Sequence, residues 1–229
     1  MTKQKKMIEI SNNVHECGEE KIVLTQQDVS LNDISLSTDE INMVWNFYVS
    51  HAPIKKNRNE KECDFGCRNL AEFGWSGSKL TTLERALIKA ADLGRFVMIK
   101  ADEITETLKM MNLDEKICWK HPRAVLKQNF TVKVYEDGEV NLKESETRMV
   151  CLFRHIRNAL AHNRIYFSKD YTMILLEDIE SVNKKLTARI LIPARSLVDW
   201  IAIVDKDKKF YYKEQYADIL NREAPSCPA

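Results

Sequence analysis

Arg154-His155-Ile156-Arg157-Asn158-Ala159-Leu160-Ala161-His162-Asn163 is the stretch whose reading decides the fold. Apolar residues recur through and just before it at Met149, Leu152, Phe153, Ile156 and Leu160, three and four positions apart. That spacing predicts a helix with one buried stripe, starting near Ser145. Asn163 suits its end, because asparagine tolerates the left-handed backbone that often terminates a helix. At about 100° per residue, Arg154, Asn158 and His162 fall on one stripe, a turn apart. Arg157 sits on the adjoining edge, about 140° from His162 with Asn158 between them. The polar group is thus expected to face solvent or a partner. Ala159 and Ala161 are small enough to let a second helix come close.

Outward from this helix the pattern stays mostly helical. Ser37 and Glu40 have capping-box spacing and lead into Ile41, Val44, Trp45 and Tyr48 on one face. Residues 51–77 read as a long connection or a short helix flanked by loops. Leu80, Leu83, Leu87 and Ala90 predict a helix over 79–93, and Ile99, Ile104, Leu108 and Met111 another over 96–111. His121-Pro122 marks a break. Asp137-Gly138, between alternating runs at 130–135 and 140–142, predicts a hairpin. A second hairpin is expected from 171–177 and 186–192. Pro193 suits the start of a helix burying Leu197, Trp200, Ile201 and Val204, and a last helix is read near 209–220. The sum is a mainly α fold with one or two small β-hairpins. A polar segment spans 1–36, a single mostly helical domain 37–222 and a tail 223–229.

Composition narrows the function classes. The chain has 229 residues, with 35 Lys and Arg against 34 Asp and Glu, so no global field selects nucleic acid or membrane. Any polyanion must meet a local patch. No run approaches the roughly 18 apolar residues of a membrane span, and the lysine-rich start lacks an apolar stretch behind it. The expectation is a cytoplasmic protein with no membrane contact, whose six cysteines stay reduced. Cys63 and Cys67 form the one pair resembling half a zinc site, and no second pair completes it. Neither metal nor cofactor is expected. Trp45, Trp75, Trp119 and Trp200 are read as core.

The cluster carries phosphodiester chemistry. RNA is cut without metal when its 2′-hydroxyl attacks the adjacent phosphorus. This needs a base for the hydroxyl, a cation for the phosphate and an acid for the leaving oxygen. Histidine can act as acid or base near neutral pH. Arginine's fork of donors matches two phosphate oxygens, and asparagine can orient the imidazole or donate to substrate. The motif supplies one histidine per chain, so two copies facing each other would complete the pair. Arg, Asn and His also suit a helix C-terminus simply because they complement its dipole and cap its carbonyls. His155, placed off the polar stripe, is read as a surface or helix-packing residue.

Arg157-Asn158-Ala-Leu-Ala-His162, with its apolar helix before and a hairpin and helix after, resembles the signature of the HEPN superfamily (higher eukaryote and prokaryote nucleotide-binding domains), in particular its bacterial plasmid-type members. The likeness spans about 145–204. It implies a HEPN-like helical bundle, a homodimer and metal-independent endoribonuclease activity in a toxin or anti-phage role. It assigns catalysis to Arg157, Asn158 and His162, with Arg154 and Arg164 extending the substrate-binding surface. RNA, a second copy and an antitoxin or regulatory protein are the implied partners. In HEPN toxins silenced by a nucleotidyltransferase antitoxin a tyrosine stands two residues after the histidine. Here that position is Arg164, and the nearest tyrosine is Tyr166. The alternative is a non-catalytic HEPN module that binds RNA, a nucleotide or a protein partner.

Overall fold

Ser37 caps the first helix, α1 (Thr38–Trp45), as its spacing predicts: its hydroxyl accepts the Glu40 amide and the Glu40 carboxylate accepts the Ser37 amide. In the computed structural model, which describes residues 7–8, 24–25, 36–55, 66–100, 104–110, 121–134, 140–168 and 170–207, α1 runs on as a π-helical stretch, Asn46–Ser50. Met43, Val44, Phe47 and Tyr48 face the core, while Trp45 is half exposed rather than buried. Helix α2 (Lys79–Ala90) buries Leu83, Ala86 and Leu87. The last described helix, α5 (Ser196–Val204), buries the four residues its spacing selects. Buried aromatic side chains tie these helices together: Tyr48 donates to Leu197 O, Trp75 to Val204 O and Trp200 to Leu87 O.

The sheet corrects the fold class. Strands β1 (Met7–Ile8), β2 (Leu24–Thr25), β3 (Phe96–Ile99), β4 (Arg123–Lys127), β7 (Ile165–Ser168), β8 (Met173–Ile179) and β9 (Leu186–Pro193) form one mixed sheet, ordered β1-β2-β7-β8-β9-β4-β3. Only β3 and β4 are parallel, joined by the short helix α3 (Thr105–Met110). Strands β5 (Phe130–Val134) and β6 (Val140–Glu144) make a separate hairpin, as their alternation predicts. The fold is α/β, not a mainly helical bundle. The second expected hairpin is real, but as β8 and β9 it forms the middle of the sheet rather than an appendage.

The physical reason lies in burial on both faces. Phe96 joins the core shared by α1, α2, α5 and the helix α4 (Arg148–Ala161), while Val97 and Ile99 pack with α3 on the other side. A strand covered twice reads as a plain apolar run with no period of two, and a short run of that kind is indistinguishable from part of a helix. Residues 96–99 thus fit the helical spacing of Ile104 and Leu108 by apolar content alone, although they form β3 and the helix there covers only Thr105–Met110. The expected helix near 209–220, Trp119 and Cys63 lie outside the described residues. No helix among the described residues is long and apolar enough to cross a membrane.

Helix α4 (Arg148–Ala161) packs across β4 and β8, with its apolar stripe in the main core. Met149, Leu152, Phe153, Ile156 and Leu160 are all buried, as the sequence pattern requires. Each such side chain contributes about 1.5–3 kcal/mol relative to exposure. Asn163 ends the helix with φ at 51°, the left-handed region expected for it.

Candidate functional site

The site is built along α4. Thr147 starts the helix by accepting the Val150 amide at 3.2 Å. Just before it, buried Glu146 receives a two-point fork from Arg154: Nε donates to Oε2 at 2.9 Å and Nη2 to Oε1 at 2.7 Å. The Asn129 amide donates to the same Glu146 Oε1, and Arg154 Nη2 also reaches the Lys127 carbonyl at 3.2 Å. Burial alone would raise the Glu146 pKa, but Arg154 and the Asn129 amide reverse this and hold it below the usual range. Arg154, expected on the substrate surface, is committed to joining α4 to the end of β4.

His155 is sealed in, at 1% exposure. Its Nδ1 lies 2.7 Å from Asp178 Oδ2 and its Nε2 2.8 Å from the Lys127 carbonyl. Burial pushes the imidazole pKa below its ordinary value; Asp178 and the Lys127 carbonyl pull the other way, and the Arg154 charge adds to the depression. Arg154 Nη2 also lies 3.2 Å from Nε2, so the protonated ring donates to both Asp178 and the Lys127 carbonyl, while the neutral ring carrying its proton on Nδ1 donates to Asp178 and accepts from Arg154. The ring is placed between β4 and β8, over β9, where Ala188 pairs with both Leu126 and Asp178. Alanine there is small enough to admit an imidazole. Cys151 completes this layer. Its thiol donates to Lys127 O at 3.3 Å, and burial, then the Glu146 charge, push its pKa to about 12. It is a packing thiol and not a nucleophile.

Asp178 is the hub that the sequence reading missed. Besides His155 it accepts Asn158 Nδ2 at 3.1 Å. Burial works to raise its pKa, but the His155 and Asn158 hydrogen bonds and the nearby charges hold it below the usual range. Orienting the Asn158 amide nitrogen toward Asp178 turns the amide oxygen the other way, where Arg157 Nη1 donates to it at 3.4 Å. An Asp178–Asn158–Arg157 chain therefore runs from the buried strand to a half-buried guanidinium. A signal for Asp178 did exist: it continues the inward parity of Ile174 and Leu176, and a carboxylate on a core-facing position requires a partner. Glu146 left no comparable trace.

The helix end differs. His162 is exposed at the C-cap, its amide bonded to Asn158 O. Ala161 and Asn163 beside it are also exposed, whereas Ala159 is buried in the protein's own core. Arg164 is half-buried, with Nη1 donating to the Ile179 carbonyl. Within the ten-residue cluster the structure thus buries His155, leaves Arg154, Arg157 and Asn158 half-buried, and exposes His162; Arg164, just beyond it, is half-buried. No family model, curated protein or solved structure matches this chain. Its chemistry therefore rests on its own residues. Among those described, no cluster of three or more His, Cys, Asp or Glu is arranged to hold a metal ion.

Proposed function

We propose that this protein cleaves RNA at the C-terminal end of α4, as an endoribonuclease that needs two copies of the chain for a complete site. The observation that carries the reading is the Asp178–Asn158–Arg157 chain, which orients a guanidinium from beneath while His162 stays open to solvent. His155 is sealed, so His162 is the α4 imidazole that substrate can reach. Arg157 holds the scissile phosphate. One His162 takes the proton from the 2′-hydroxyl as its oxygen attacks phosphorus. The second copy's imidazole gives a proton to the departing 5′-oxygen, leaving a 2′,3′-cyclic phosphate. Asn158 acts as a positioning residue, and Arg154 is left out of the substrate surface because Glu146 occupies it. The likeness of this segment to the HEPN motif supports the same roles without requiring a helical bundle.

The test compares wild type, His162→Ala and Arg157→Ala on RNA in EDTA, with end-group analysis and sedimentation. Cleavage to cyclic phosphate ends is expected from wild type, reduced about 10²–10⁴-fold by either substitution, from a sedimenting dimer. Equal cleavage by wild type and His162→Ala, or none by wild type at any concentration, overturns the proposal. Retention of RNA without cleavage, lost in Arg157→Ala, would assign a binding module instead.

A further inference from the structure

On the opposite face of the sheet from α4, Arg95 and Arg123 immediately precede Phe96 and Ala124, which pair across the parallel strands β3 and β4. Alternation along the strands puts both guanidinium groups on the side of Val97 and Val125. All four line one open cleft of about 310 Å³, with His121, Pro122 and Asp92 at its rim. Arg95, His121 and Arg123 are exposed, and among the described residues none of their side chains is hydrogen-bonded or ion-paired. Asp92 shares the rim without pairing to any of them.

Like charges on neighbouring strands destabilise a sheet. On the same face, one strand over, the fold avoids that cost: Arg189 on β9 is met by Glu177 on β8 at 2.7 Å. At the β3–β4 end it instead leaves two arginines and a histidine around a concave surface that Val97 and Pro122 also line. We propose that this cleft binds a phosphomonoester, with the two guanidinium forks on the phosphate oxygens and His121 as a third donor. Two fixed positive charges match a dianion, and paired forks match its geometry. The volume falls in the range of small-molecule sites, about 300–1,000 Å³, which leaves room for an organic group against the half-buried Val97 and Pro122. The site does not depend on the reading of α4 as a nuclease, so either proposal can fail alone.

The test is titration calorimetry on the full chain at low salt, with inorganic phosphate, ribose 5-phosphate, ribose, and a short RNA with and without a 5′-phosphate. Ribose 5-phosphate is expected to bind and ribose not. Binding of the phosphorylated RNA alone would identify a nucleic-acid end as the source of the same group and still support the site. Arg95→Gln and Arg123→Gln should each weaken binding at least tenfold, and the double variant should abolish it. Because each change removes a like-charge neighbour, the variants should melt at or above the wild-type temperature. Absence of binding by wild type to any phosphorylated probe, unchanged binding in the double variant, or a lowered melting temperature in the single variants would overturn the proposal.

Discussion

His155 and His162 lie seven residues apart on α4, close to two full turns, so they fall within about 20° of each other around the axis. His155 therefore borders the polar stripe instead of lying off it. One imidazole is buried between β4 and β8 with both nitrogens bonded, and the other is open to solvent at the helix end. Periodicity gives the side of a helix a residue occupies. What covers that side depends on how far the neighbouring strands extend beneath it. The same chemical group thus serves as a structural joint at one position and as a candidate proton carrier two turns on.

The largest effect expected from this contrast is on the buried member. Asp178→Ala leaves His155 Nδ1 and Asn158 Nδ2 without their acceptor and should lower stability by about 3–5 kcal/mol, read by denaturant unfolding. Asp178→Asn, which keeps one acceptor, should fall between. A loss below about 1 kcal/mol for the alanine variant would erase the distinction between the two histidines.

A smaller effect is expected from pH. The unfolded chain protonates its histidines near pH 6.5, while buried His155 does so only at lower pH. Between those values the unfolded state binds more protons, so stability falls as pH drops through about 6.5. Glu146 and Asp178 also titrate below their ordinary values, so their contributions hold above about pH 4.5 and are lost as pH falls further. Two stages of acid destabilisation should appear, and His155→Gln should remove the upper one. A stability curve flat from pH 7 to 5 would contradict the assignment. The smallest effect is expected at the exposed member: His162→Ala should change stability by no more than about 0.5 kcal/mol. A loss above 1 kcal/mol would make His162 a structural cap.

Local signals were legible where a single element dictates them. The Ser37–Glu40 capping box, the five-residue stripe of α4 and the left-handed Asn163 all follow from spacing and side-chain type. Sheet strands β3, β4 and β7 were not legible, since burial on both faces removes the alternation that would mark them. The partners of the site were hidden for a different reason. Asp178 meets His155 across 23 residues, and Arg154 meets the Lys127 carbonyl across 27, distances over which sequence carries no pairing rule. The Arg95–Arg123 juxtaposition has no sequence signal either, because it exists only through the β3–β4 register.

Strand β9 is inserted between β4 and β8, and this sets a timetable for the nascent chain. Pro193, the end of β9, follows Lys127, the end of β4, by 66 residues. At about 5–20 residues per second of synthesis, roughly 3–13 s separate them. During that interval β4 has no neighbour on its β9 side, and α4 is complete before the floor beneath it. Since His155 gains its cover only when β8 and β9 arrive, the newborn helix carries two solvent-accessible imidazoles, and the mature protein retains one.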